Sequence, residues 1–268
     1  MLIQTPFFKF TYQIQHISGI NKPHRFKGVN KVDAKAIINE IESSQHLISM
    51  TPVEKIVEIG YTSGMDSNTS VLDLCCGYGE MLKIWNETFG IKGTGVDISE
   101  EFINEGNKRL KEAGIKDITL ICADVLDWVT DKKYDFACLS GEEFGGIEST
   151  IHLLEQYIKP GGKLIIGTRY SRVDEPPVEL IEFEGETLPL KIIYSIFYDN
   201  GYFIISMATD TQNEWERYIT WSARRHLVAY KNNPGNQNLF AWCKKWYETY
   251  FEFRRDYEGY GTFVIEKY

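Results

Sequence analysis

The chain has 268 residues, 43% of them hydrophobic, enough for one large core or a core with an elaboration. A net charge of −9, with no Lys/Arg cluster longer than a pair, disfavours a nucleic acid partner. Five cysteines, odd in number and without C-x-x-C spacing, argue against a disulfide framework and for a reducing, cytoplasmic setting, and no apolar run reaches the length of a membrane span.

The first stretch, MLIQTPFFKF, lacks a basic region followed by an apolar core, so no leader peptide is expected. Residues 1–50 precede the core. Gly28 interrupts a basic, loop-like segment. Val32, Ala36, Ile37 and Ile41 then share one side of an amphipathic helix, either packed on the core or lying over it as a lid. Pro52 marks the next helix start, with Thr51 as its N-cap.

Residues 71–80, VLDLCCGYGE, carry the strongest local signal. Val71, Leu72 and Leu74 suit a strand buried on both faces, with Asp73 near its end. Gly77 and Gly79 allow a tight turn close to a ligand. Met81, Leu82, Trp85 and Phe89 then recur at helical spacing. A glycine loop entering a helix N-terminus is a ready ligand site. Asp97, at the end of the second strand, has the spacing of a ribose-binding acid.

Two donors fit so far, a nicotinamide dinucleotide and S-adenosylmethionine (SAM). Asp73 would repel a pyrophosphate at close range and attract the ammonium and sulfonium of SAM. Leu82 also stands where the dinucleotide fingerprint wants its third glycine.

After Asp97, Ser99 suits the N-cap of a helix, Glu100 and Glu101 its first turn, and Gly114 its exit. ITLICADV reads as a third strand tipped by Asp124, followed by a short helix, VLDWV. Asp97 and Asp124 each also suit a capping role. YDFACLSG is a fourth strand with Ser140 at its mouth. The next helix holds His152 among apolar residues, as a packed histidine, and Cys122 and Cys138 read as small hydrophobes within their strands. IKPGGKLIIG opens a fifth strand. The polar, proline-rich segment after it reads as loop, then LPLKIIYSIFYDNGY as helix and FIISMAT as strand six.

Residues 209–261 are unusual. EWERYITWSARRHLVAYKNNP and LFAWCKKWYETYFEFRRDY both read as helices, separated by Asn233, Pro234 and Gly235. Trp215, Tyr218, Trp221, Trp242, Trp246, Tyr247 and Tyr250 form a packing stripe or an aromatic wall for a pocket. TFVIEKY is strand seven. Strands alternating with helices every ~25 residues describe βαβ organisation.

The order of these pieces resembles the class I SAM-dependent methyltransferases. The family's D/E-x-G-x-G-x-G motif stands here as residues 73–79, with Cys75 in place of the first glycine. The resemblance implies an α/β fold: a seven-stranded Rossmann-like core, mostly parallel with the last strand antiparallel, plus a helical cap. It implies that Asp73 and the backbone of Cys75, Gly77 and Gly79 hold the methionine part of SAM. Asp97 would hold the ribose, Ile98 would pack beside the adenine and Asp124 bind its amino group, with Val125 also in the cofactor site and Ser140 at the mouth. The expected organisation is an N-terminal helical or lid segment (1–50), a SAM-binding core (51–208 and 262–268) and an aromatic cap (209–261).

The function this implies is methyl transfer from SAM to a small-molecule acceptor by in-line displacement. The N/D-P-P-Y/F motif of nucleic acid amino-methylators is absent after strand four. Candidate acid–base or orienting residues are Glu142, Glu143, Tyr170 and His226. Arg169, Arg224, Arg225, Arg254 and Arg255 could attract an acidic group, although paired helical arginines are usually solvated or salt-bridged. No metal is expected, because a tetrahedral site would need ligands beyond Cys75 and Cys76. A nicotinamide-dependent oxidoreductase and a non-catalytic SAM-binding protein are the alternatives.

Overall fold

A computed structural model describes residue 47 and residues 49–268, apart from 142, 143 and 236 and the side chains of 183, 184, 238, 239 and 242. The helix expected from Val32 to Ile41 and the candidates Glu142 and Glu143 therefore lie outside the described residues, as does the side chain of Trp242.

The order of elements is α1 (Val53–Thr62), β1 (Ser70–Leu74), α2 (Glu80–Phe89), β2 (Lys92–Asp97), α3 (Glu100–Glu112), β3 (Ile118–Cys122), β4 (Tyr134–Ser140) and α4 (Ile147–Glu155). It continues with β5 (Ile158–Ser171), α5 (Val178–Glu184), α6 (Leu190–Asp199), β6 (Tyr202–Thr209), α7 (Gln212–Asn232) and α8 (Gln237–Thr249). A π-helical turn (Tyr250–Arg254), a final helical turn α9 (Arg255–Tyr257) and β7 (Glu258–Lys267) complete it.

The seven strands form one sheet in the order β3-β2-β1-β4-β5-β7-β6. β7 runs antiparallel to both neighbours, and the pairings from β3 through β5 are parallel. The chain winds outward from β1 to β3, then returns to lay β4 on the other side of β1. That reversal opens a crevice at the C-terminal ends of β1 and β4, where open α/β sheets bind ligands.

Alternation along the strands sorts side chains onto two apolar faces. Leu72, Leu74, Leu139, Leu164 and Ile166 pack under α4 and α6. Val71, Phe136, Cys138, Ile165 and Val264 pack under α1, α2 and α3. A third cluster joins Met50, Trp215, Tyr218, Ile219, Trp246 and Tyr250 to Tyr260 of β7. The aromatic stripe of α7 and α8 is thus a packed core that reaches the sheet.

Local signals explain the helix ends. Ser99 accepts from Phe102 N at 3.3 Å as the α3 N-cap. At the other end, Gly114 (φ +72) closes a Schellman pair, Gly114 N to Lys111 O and Ile115 N to Leu110 O. α7 opens on a capping box between Thr211 and Glu214.

Several sequence expectations are corrected. The α1 N-cap is Pro52, not Thr51; the Thr51 hydroxyl instead meets that of Thr262 on β7, at 2.8 Å. VLDWV forms a single turn closed by Trp128 N to Asp124 O at 2.9 Å, without continuing as a helix. The segment after β5 contains α5, started by Pro177. His152 lies on the solvent face of α4 beside Glu155, because the apolar stripe runs through Ile147, Ile151 and Leu154. Cys122 is exposed at the end of edge strand β3, whereas Cys138 in central β4 is buried. β7 begins at Glu258, four residues before TFVIEKY, because its early residues pair with the end of β5.

Candidate active site

Beyond β1 the chain turns tightly at residues 75–79. Cys75 has φ +60, and among the described residues it is the one non-glycine with positive φ. The left-handed backbone of the missing glycine is therefore kept, at a strain of roughly 1–2 kcal/mol. Gly77 and Gly79 follow at φ +55 and +71, and a side chain on Gly79 would come within 2.7 Å of Leu120. The turn is pinned to β2 by Cys76 N donating to Val96 O at 3.1 Å.

Asp97 fastens this loop. One carboxylate oxygen accepts from Gly77 N at 2.9 Å and the other from Ser99 N at 2.8 Å. It therefore ties the glycine turn to the start of α3. Burial raises its pKa, and the backbone N–H groups of Ser99 and Gly77 oppose that rise.

Asp73 lies between Gly95 and Cys138 in the strand register and is almost wholly buried. Burial pushes its pKa up to about 7; the Cys138 thiol opposes this by hydrogen bonding, and the charge of Asp97 adds to it. Two buried carboxylates beneath one glycine turn make a site that favours a cationic ligand.

Asp124 is half-buried and accepts from Leu126 N at 2.9 Å. Val125 is in the core of the α4/α6 face, and Ile98 is half-buried. Across the crevice, the half-exposed Ser140 meets the Tyr260 hydroxyl at 2.8 Å. The pair sits over Gly167 of β5, where any side chain would collide with both hydroxyls. The Tyr260 backbone is clamped by Asp210, which accepts from Tyr260 N at 2.8 Å and whose own N donates to Tyr260 O at 2.9 Å.

Comparison with known proteins identifies this arrangement. Residues 71–162 match the model of a methyltransferase domain. Over 245 residues the chain is 30% identical to the uncharacterized protein YjhP of Escherichia coli, covering 87% of this chain and 99% of YjhP. Crystal structures of SAM-dependent methyltransferases from Geobacter sulfurreducens and Thiobacillus denitrificans, both with S-adenosylhomocysteine, superpose with TM-scores of 0.81 and 0.80. Each is 28% identical, covering 87% of this chain and 98% of that structure.

The chain belongs to the class I SAM-dependent methyltransferases.

As a methyltransferase, the protein is an enzyme that uses SAM as its cofactor. The residues present fit that donor. The glycine turn leaves backbone room, and two buried carboxyl groups, Asp73 and Asp97, are groups that would suit a ligand carrying both cationic charge and hydroxyls.

The candidate acceptor-side residues are scattered. Tyr170 lies within β5, on the α4/α6 face with Leu164 and Ile166, its ring against Gly259. Asp73 and Ser140 occupy the other face, so Tyr170 is not brought to them. His226 is enclosed in the methyltransferase's cap by Trp246 and Tyr247, with ring centroids at 5.3 and 6.5 Å, and burial lowers its pKa to about 4. Arg224 is exposed, and Arg255 pairs with Glu216 and Asp256.

Arg169 and Arg254 serve an anchor that the sequence did not single out. Glu258 is fully buried; one oxygen meets Arg169 at 2.6 Å and the other Arg254 at 2.9 Å. Its carbonyl accepts from the Trp215 indole at 3.0 Å and from Arg172 at 2.7 Å. The Arg254 guanidinium lies over the Trp215 and Trp246 rings. Strand β5, cap helix α7 and the π-helical turn all converge on this residue. Tyr260 was missed because Ser140 is 120 residues away, and Glu258 because Arg169 and Trp215 are remote in sequence, although its other partner, Arg254, is only four residues off; a chain reading gives no warning that β7 would present both beside β5.

Proposed function

We propose that the acceptor binds between the C-terminal ends of β4 and β5 and the aromatic cap of α7 and α8. The supporting observation is Tyr260, which belongs to the cap cluster through its ring and reaches Ser140 at the donor crevice through its hydroxyl. In this reading Asp73 and the backbone of residues 75–79 hold the methionine part of SAM, Asp97 the ribose, and Ile98, Asp124 and Val125 the adenine.

The chemistry is a displacement at carbon in which the acceptor's lone pair attacks the methyl group in line with the departing sulfur. The sulfonium is a ready leaving group, so catalysis consists mainly of alignment and exclusion of water. Small amines, thiols and phenols are the acceptor classes to test, an amine needing its neutral form to react. All five cysteines are free thiols, in keeping with a cytosolic enzyme.

The experiment is calorimetry with SAM, S-adenosylhomocysteine and NADH, followed by an acceptor screen read as S-adenosylhomocysteine formation. Micromolar binding of the first two ligands, none of NADH, and turnover with one acceptor class is the expected result. NADH binding in their place would overturn the reading.

A further inference from the structure

A row of positions from four strands lines up on one face of the sheet at its C-terminal rim. Asp73 and Cys138 are register partners on β1 and β4, and Cys138 belongs to the face under α1, α2 and α3. Ser140 lies two residues further on that face, paired to Gly167 of β5. Gly167 in turn is opposite Thr262 of β7, and Tyr260, two residues away, shares the face and lies nearer the rim. The Tyr260 ring crosses the gap left by Gly167 to bring its hydroxyl onto Ser140. A polar row thus leads from the donor's carboxyl groups to the aromatic cap, and its middle is a hydroxyl pair instead of packed carbon.

We propose that the Ser140–Tyr260 pair faces the methyl group being transferred, with Tyr260 as the oxygen that steers it. This rests on the placement of donor and acceptor given above and goes further in assigning the contact at the reacting carbon. Methyl C–H bonds beside a sulfonium are polarised, and hydroxyl oxygens are acceptors for such weak donors. Either hydroxyl can donate to the other, so the pair can present an acceptor to the methyl group or a donor to the nucleophile. Asp210 clamps the Tyr260 backbone from both sides, and the ring is packed against the cap, so the hydroxyl is held in place. Gly167 is the position that permits the arrangement.

The test needs no acceptor. Sinefungin resembles S-adenosylhomocysteine but carries a protonated amine projecting where the sulfonium methyl stands. Calorimetry would compare the two ligands on the wild type, Tyr260→Phe and Ser140→Ala. A lost hydrogen bond to a charged group predicts that Tyr260→Phe weakens sinefungin by about tenfold or more. S-adenosylhomocysteine, with nothing at that position, is expected to change by less than about twofold; Ser140→Ala should show the same selectivity to a smaller degree. Equal losses of both ligands, or no loss of either, in the two variants would overturn the inference while leaving the donor site standing. Failure of the wild type to bind S-adenosylhomocysteine would overturn the underlying reading as well.

Discussion

Replacing Asp73 by Asn should make the ligand-free protein more stable and the donor site worse. Burial raises the Asp73 pKa from 3.8 to about 7. Below about pH 4 the group is neutral in both folded and unfolded chains and contributes no difference. Between about pH 4 and pH 7 the unfolded chain releases this proton while the folded chain keeps it, so stability falls with rising pH. The full cost, reached above about pH 7, is ~4 kcal/mol, from a shift of about three units at 1.36 kcal/mol each. An isosteric amide has no charge to bury. The variant should therefore exceed the wild type by ~1–2 kcal/mol at about pH 5 and by up to ~4 kcal/mol at about pH 8. Urea unfolding of both proteins at the two pH values, without ligand, measures this directly. In parallel, S-adenosylhomocysteine should bind the variant at least about tenfold more weakly, because its ammonium loses a charged partner. A stability difference that stays flat or reverses between the two pH values would refute the reasoning.

Three further outcomes follow from the geometry. Glu258→Gln leaves Arg169 and Arg254 facing a neutral amide inside the protein and should cost about 3–5 kcal/mol in urea unfolding, against under about 0.5 kcal/mol for Glu175→Gln on the surface. Cys75→Val places a β-branched residue at φ +60 and should destabilise by about 2 kcal/mol and weaken S-adenosylhomocysteine, whereas Cys75→Gly should keep binding; calorimetry and thermal melts distinguish the two. Asp97→Asn keeps one acceptor oxygen for two backbone N–H groups, so it should weaken SAM by at least about tenfold in the same titration while circular dichroism stays unchanged.

The glycine turn and the two buried carboxyl groups beside it were legible because they are local. Asp73, Cys75, Gly77, Gly79 and Asp97 fall within one βαβ unit, where spacing along the chain fixes distance in space. Cys75 shows that the pattern survives a change of residue, since the loop imposes the left-handed conformation on it. The contacts that join β7 to the rest of the sheet were not legible. Ser140 and Tyr260 are 120 residues apart and meet through strand order alone. Arg169 and Glu258 are 89 residues apart and meet through antiparallel register. His152 and Cys122 were misread for a different reason: an apolar neighbourhood in sequence does not say which side of a helix or an edge strand a residue occupies.

The placement of β7 between β5 and β6 also sets an order of assembly. During synthesis β5 and β6 emerge first, but each must wait for a partner edge until the two long helices and then β7 have left the ribosome. The donor loop and its strands can close long before that. A nascent chain of this enzyme can thus form its glycine turn while still lacking Glu258 and Tyr260, so this wedge of backbone both seals the sheet and brings Tyr260 to Ser140. The Ser140–Tyr260 contact then forms in the same event that ends exposure of two strand edges, which limits the time an unfinished chain presents them to its neighbours.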